Sequence, residues 1–229
     1  MIPELDAIFE KYEALVKQMD SVFDSVQKQY SDCVKCHEGC ADCCHALFDL
    51  SLVEAMYINR QFLEKIDEAK RLQILEVANQ TDRKLYQLKR KAYQAVTSGE
   101  KSEELVLLEM AAERMRCPLL NDGDRCELYR KRPITCRLYG IPTAIGGRGH
   151  TCGMSEFVAG ESYPTANMDA IHQQLHLLSQ EIVATLRSRQ VMMGDVLMPL
   201  SMALLTVFDE NYLGVGEEKK ETEKDDGPV

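Results

Sequence analysis

The chain has 229 residues, a net charge of −10 at pH 7 and a pI near 5.1. A chain of this length can bury a sizeable core and does not need disulfide cross-links in order to fold. Its acidic charge disfavours nucleic acid as the main partner of the whole molecule.

The cellular environment is predicted from two further features of the sequence. Residues 1–6 have acidic and no basic side chains, unlike the start of a signal peptide. The longest uncharged apolar run, 196–208, is shorter than the ~20 residues that cross a bilayer. We therefore expect a cytoplasmic protein without membrane contact, whose thiols stay reduced. The odd number of cysteines, nine, also argues against a closed set of disulfides.

Residues 3–30 are predicted to form one amphipathic helix, because apolar residues recur at steps of three and four. The usual fate of such an apolar face is packing against the core of its own chain. Burial against a partner helix is the alternative.

The next segment, 31–48, has no helical period and contains five of the nine cysteines. Cysteines two to three positions apart can direct two thiolates at one ion, as in a tetrahedral zinc site or an iron–sulfur cluster. The adjacent residues Cys43 and Cys44 point in different directions, which favours two sites or one polynuclear centre. Cys33 and Cys36, followed by His37, also match the attachment motif of c-type haem. We disfavour haem because its attachment needs export and because Cys36 belongs to the denser cluster.

Residues 49–115 are predicted to be a helical insert between two groups of cysteines. Ser51 and Glu54 form a capping-box pattern at the start of its first helix. Further helices are expected over 67–96 and 102–115.

The segment 116–153 contains the second group of cysteines. Its sequence predicts a short hairpin around an Asp122-Gly123 turn, followed by glycine-rich loops over 140–149. Eight basic and three acidic residues lie between 114 and 148, and such cations stabilise a four-thiolate centre with a charge of about −2. A solvated basic loop and a docking surface at 125–137 for a protein partner are the alternatives.

The C-terminal part returns to helical periodicity at about residue 165. A last helix is expected over 194–209, with a kink or break at Pro199, and residues 216–229 form a charged tail typical of disorder. His172 and His176 are spaced i, i+4, which can bind a metal, but no third ligand is evident in the sequence, so a polar helix edge is favoured. Other histidines flank the cysteines and are interpreted as neighbours of the ligands. They are His37, His45 and His150.

The predicted architecture is mostly α, with a cysteine-rich lobe of loops and a short β-hairpin on a helical scaffold. We expect one domain over 1–215, whose metal site is split between 31–48 and 116–153.

The cysteine pattern resembles a bacterial family of cysteine-cluster proteins described as zinc- or iron-chelating domains. The resemblance covers about 33–153, without the helical insert, and Cys33 lies outside its core pattern. The matching motifs are Cys36-x₃-Cys40-x₂-Cys43-Cys44, Cys117-Pro118, Cys126-x₂-Tyr129, Arg132-Pro133-x₂-Cys136-Arg137 and Cys152-Gly153. The resemblance implies a metal-binding domain and says little about activity. One branch looks like the flagellin lysine N-methylase, which uses S-adenosylmethionine, but this chain shows no separate glycine-rich strand–helix turn to support methyl transfer.

The sequence thus predicts a metal-binding protein that holds an iron–sulfur cluster or zinc, with iron–sulfur slightly favoured. The expected role is redox chemistry, electron transfer or sensing. The alternatives are a cluster-dependent enzyme, such as a protein lysine methyltransferase, and a structural zinc or metal-delivery module. The predicted ligands are Cys36, Cys40, Cys43, Cys44, Cys117, Cys126, Cys136 and Cys152.

Overall fold

The computed structural model describes residues 2–216 and confirms that the protein is mostly α-helical. The helices are α1 (Asp6–Gln29), α2 (Leu52–Lys65), α3 (Glu68–Thr97), α4 (Glu103–Ala112), α5 (Ile134–Leu138), α6 (Met168–Thr185) and α7 (Leu200–Leu205). The strands are β1 (Asp49–Ser51), β2 (Thr143–Ile145), β3 (Arg148–His150), β4 (Ala166–Asn167) and β5 (Leu197–Pro199). They form a two-stranded sheet, β1-β5, and a three-stranded sheet, β3-β2-β4.

Helix α1 matches its predicted extent and packs within its own chain. Its apolar face is buried in the main core against α2, α5 and α6. Tyr12 is fully buried at the centre of this face, where its ring lies 4.8 Å from the ring of Tyr57 on α2. The prediction that the apolar face of α1 packs against the core of its own chain, and not against a partner helix, is thereby confirmed.

The helices of the insert begin where the sequence predicts. Asp67 caps α3 by accepting a hydrogen bond from the backbone N–H of Lys70, and Ser102 caps α4 in the same way. Ser51 precedes α2, but its hydroxyl lies 3.4 Å from the Glu54 carboxylate and does not cap the backbone. Helices α2, α3 and α7 pack together around a second apolar cluster that includes Phe62.

The C-terminal helix predicted over 194–209 is wrong except over 200–205, the extent of α7. Residues 191–195 form a 3₁₀ turn, and β5 then pairs antiparallel with β1. Pro199 ends β5 and immediately precedes α7, as expected of a residue that lacks the backbone N–H and restricts φ. Pro199 therefore marks the start of α7 and not a break within a longer helix. The predicted tail lies outside the described residues, apart from Gly216.

The hairpin is found in a different place from the predicted one. Over 117–129 the strands are reduced to one bridge, between Leu120 and Cys126. The Asn121 side chain organises this turn by accepting hydrogen bonds from two backbone N–H groups, those of residues 123 and 125. The regular hairpin is β2–β3, where loops were predicted. Gly146 and Gly147 form its turn with φ of 56° and 74°, values that favour glycine at both positions.

Among residues 2–216, none of the helices combines the length and the apolar character that membrane crossing requires.

Candidate metal centre

The two cysteine-bearing segments are joined directly through their backbones. The N–H of Cys117 donates to the carbonyl of Cys44 over 2.7 Å, and the N–H of Met115 donates to the carbonyl of His45 over 2.9 Å. An antiparallel bridge between Ala46 and Arg114 extends this pairing. The helical insert therefore returns the chain to the point where it left the first cysteine segment.

Seven of the nine cysteines line one cavity of about 230 Å³. The rest of its wall is mostly apolar and includes Leu85 of α3, Met110 of α4 and Leu200 of α7. The seven cysteines are Cys36, Cys40, Cys43, Cys44, Cys117, Cys126 and Cys136. This cavity thus places seven thiols beside a mostly apolar surface.

Cys152 lines a second, smaller cavity that adjoins the first. Three cysteines of the larger cavity, Cys36, Cys40 and Cys43, also line this one. The Cys152 thiol donates to the Asp42 carboxylate over 3.3 Å, and Arg114 forms an ion pair with the same carboxylate. All eight predicted ligands therefore line one or both of the two cavities.

The position of Cys36 depends on a close approach by Gly140. A Cβ atom added to Gly140 would lie 2.4 Å from the Cβ and 3.2 Å from the Sγ of Cys36. Two carbon atoms that are not bonded to each other cannot approach as closely as 2.4 Å. Glycine at this position therefore makes room for the thiol.

The thiols interact strongly with one another around Cys43. Hydrogen bonds from the thiols of Cys136 and Cys44 to the Cys43 sulfur lower the pKa of Cys43 to about 3. The same bonds, together with burial, raise the pKa values of Cys44 and Cys136. Cys43 therefore lies between two thiols that donate to it, and its sulfur is the acceptor of this group.

Three further thiols of the larger cavity are favoured in their protonated form, because partial burial removes them from water. Burial raises the pKa of Cys36 to about 11, that of Cys117 to about 12 and that of Cys126 to about 11. A cation among these thiols would reverse that preference, because metal binding displaces the thiol protons. The donor set thus fits a thiophilic metal ion or cluster.

Arg132 also has the features expected beside an anionic metal centre. Its guanidinium carbon lies 4.2 Å from the ring centroid of Tyr129, and the residue lines the larger cavity. Its Nε is buried and lacks a hydrogen-bond partner within the described part of the chain. Burial acts to lower the pKa of Arg132, but Tyr129 and the thiols of Cys36 and Cys136 raise it overall. A buried donor without an acceptor beside a group of thiols matches the demands of an anionic metal–sulfur centre.

Arg137, the other arginine of the Arg132-Pro133-x₂-Cys136-Arg137 motif, contacts the scaffold. Its guanidinium donates two hydrogen bonds to Asp20 of α1, at 2.7 and 2.8 Å, and others to the carbonyls of Arg130 and Arg132. Arg137 therefore holds the turn before Cys136 against α1. Sequence reasoning missed the difference between the two arginines. The difference depends on Asp20 of α1, which is distant in the chain from both arginines.

The remaining sulfur and imidazole candidates lie outside the thiol cavities. Within the described chain, neither Cys33 nor any of the flanking histidines lines either cavity. The carbonyl of Cys33 accepts a hydrogen bond from the Glu156 N–H, whereas His37 and His150 are exposed. The Nδ1 atom of His45 lies 3.0 Å from the carbonyl oxygen of Ala41.

The thiols surround the cavities and do not converge on one point. Within residues 2–216, no three His, Cys, Asp or Glu side chains already stand close enough together to hold an ion.

Comparison with known families gives one match. Residues 35–153 match the CxxCxxCC family, whose description is "Putative zinc- or iron-chelating domain". The matched region is more than half of the chain and contains all eight cysteines that line the cavities, whereas Cys33 lies outside it. Comparisons with curated proteins and with solved structures give no match.

Proposed function

This chain belongs to the CxxCxxCC family, and we propose that it binds metal through two adjoining sets of four thiolates. The first set surrounds the smaller cavity and consists of Cys36, Cys40, Cys43 and Cys152. The second set faces only the larger cavity and consists of Cys44, Cys117, Cys126 and Cys136.

The division of ligands is supported by the position of Cys43. It lines both cavities and accepts hydrogen bonds from two members of the second set, Cys44 and Cys136. A thiolate in this position can join two metal centres or lie at the boundary between them. Two neighbouring residues, Cys43 and Cys44, can then belong to different sets without distorting a single tetrahedral site.

We further propose that the metal is iron, held as an iron–sulfur centre that transfers or senses electrons. The observation that supports this choice is the buried Nε of Arg132 beside the thiols. Hydrogen bonds and positive charge near cluster sulfurs set the reduction potential of such centres, and the apolar wall excludes water. When bound, an iron–sulfur cluster supplies one-electron chemistry. Zinc in the same four-thiolate sets is the alternative, and it would make the protein a structural or metal-delivery module.

A cluster-dependent enzyme is the second candidate function. One observation favours it: the larger cavity extends past the thiols along Leu85, Met110 and Leu200. An apolar pocket beside a metal centre is a typical substrate site. A methyltransferase activity would require S-adenosylmethionine to bind, and binding would raise the melting temperature of the metal-loaded protein.

The scaffold and the surroundings of the site complete the proposal. We propose that residues 1–215 act as one domain, in a cytoplasmic compartment where free thiols persist. Of the basic surface over 125–137, Arg132 faces the thiols, and Lys131 forms an ion pair with Glu13 over 2.8 Å. Docking of a protein partner on the remaining basic residues stays a prediction.

The proposal is tested by metal analysis of protein purified without oxygen. We expect brown protein with iron and acid-labile sulfide in the wild type, and loss of the metal of the second set in Cys136→Ser. A colourless protein with about two zinc ions per chain would support the two thiolate sets but refute the redox role. A wild-type chain without any bound metal would contradict the proposal as a whole.

A further inference from the structure

A third cavity lies between α6 and the 3₁₀ turn at 191–195, and it shares Phe48 and Asp49 with the larger thiol cavity. Its volume is about 500 Å³, and its lining includes His172 and His176 of α6 together with Asp195 of the turn. None of the nine cysteines, all of which lie in the described chain, lines this cavity. Its chemistry is therefore independent of the thiolate sets.

The fold provides the third ligand that the sequence alone does not reveal. His172 and His176 are one helical turn apart on α6, so both imidazoles can reach the same side of the helix. The Oδ1 atom of Asp195 lies 3.5 Å from Nδ1 of His176, although 19 residues separate them in the chain. Two imidazoles and one carboxylate thus border a single cavity.

The carboxylate of Asp195 is held in place by Gln180 of α6. Nε2 of Gln180 donates a hydrogen bond of 2.9 Å to Oδ1 of Asp195. The preceding residue is Gly194, where an added Cβ would lie 2.7 Å from the Gln180 amide. Glycine at this position therefore allows the turn to approach α6 closely. This close packing positions Asp195 beside the histidine pair.

We propose that His172, His176 and Asp195 bind a divalent transition-metal ion, separate from the metal of the thiolate sets. Two imidazoles and one carboxylate are a common donor set for zinc, iron and related ions. The side chains of His176 and Asp195 are 48% and 42% exposed, and His172 is also exposed, so all three can rotate onto an ion. Three protein ligands leave coordination positions open, and the cavity has room there for water or a small anion.

The test begins with protein whose thiolate sets are already filled with zinc and from which loosely held zinc has been removed by gel filtration. Zinc is then titrated into this protein by calorimetry, while the imidazole nitrogens are followed by ¹⁵N NMR. We expect one further binding event that shifts the resonances of His172 and His176. In His176→Gln and in Asp195→Asn, the affinity of this event should fall by about 10-fold or more.

His150→Gln is the matched control, because His150 is exposed on β3 and does not line this cavity. It should leave the titration unchanged. Zinc binding that is equally strong in His176→Gln and in the wild type would overturn the proposal, as would imidazole resonances that do not move. Cys136→Ser separates this inference from the proposed function, because it should lose the metal of the second thiolate set and retain the histidine-dependent event.

Discussion

Replacement of Gly140 by alanine places a methyl group 2.4 Å from the Cβ atom of Cys36. The φ angle of Gly140 is not in the left-handed region, so backbone strain does not contribute and the effect is steric. Either the segment around Cys36 or the segment around Gly140 must move. Forced displacement in a packed region costs about 1–3 kcal/mol.

Displacement of Cys36 should also disturb the thiolate set to which it belongs. We expect Gly140→Ala to lower the free energy of unfolding by about 1–3 kcal/mol in the metal-free protein. We also expect metal to be lost from the set containing Cys36 and Cys152 before it is lost from the other set. Urea titrations of the metal-free and metal-loaded proteins measure the first effect, and metal analysis of the purified variant measures the second.

Gly149 provides a matched control, because an alanine Cβ there would meet no atom within 4 Å and its φ angle is not positive. Gly149→Ala should change the free energy of unfolding by less than about 0.5 kcal/mol. If Gly140→Ala had the same stability and metal content as Gly149→Ala, the close approach to Cys36 would not be what positions the thiol.

Three further predictions concern single side chains. Cys43→Ser should abolish binding at both thiolate sets because its sulfur lies between them, whereas Cys33→Ser should keep the metal; equal metal content in the two variants would contradict the ligand assignment. Arg132→Gln should leave metal bound but shift the reduction potential downward, since a positive charge near the thiols is lost; voltammetry of the variant checks this. Hydrogen bonds to the Glu13 carboxylate, first of all from Lys131, lower the pKa of Glu13. The ionised carboxylate therefore stabilises the folded protein above the ordinary pKa of Glu, and this stabilisation is lost as the pH falls. Glu13→Gln should therefore show less acid destabilisation than the wild type in unfolding measured between about pH 2 and 6.

Local patterns were sufficient to predict α1 and the starts of α3 and α4. Helix α1 follows from its apolar period, and the starts of α3 and α4 follow from capping residues that act within one turn. These signals depend on neighbours three or four positions away, which the sequence displays directly.

The sequence failed where distant contacts decide the local structure. Residues 197–199 continue a helical apolar pattern, but they form a strand because β1, far earlier in the chain, offers an edge for pairing. Glycines at 146 and 147 were interpreted as loop residues, although two adjacent glycines also suit a tight hairpin turn. In both cases the residue types allowed more than one conformation, and the partner strand determined the outcome.

The candidate site was only partly visible in the sequence. Cysteine spacing pointed to all eight residues that now line the two cavities. The roles of Gly140 and Asp195 were not visible, because each depends on contact with a residue far away in the chain. The difference between Arg132 and Arg137 was hidden for a similar reason, since Asp20 of α1 pairs with only one of them.

Alkylation of the native, metal-loaded protein, followed by peptide mass spectrometry, tests the ligand assignment most directly. All nine cysteines are partly accessible to solvent, so burial alone does not distinguish them. We expect rapid modification of Cys33 and protection of the other eight, with the protection lost after the metal is removed by a chelator. If Cys33 and the eight proposed ligands reacted alike in the metal-loaded protein, the thiolate centre described here would be contradicted.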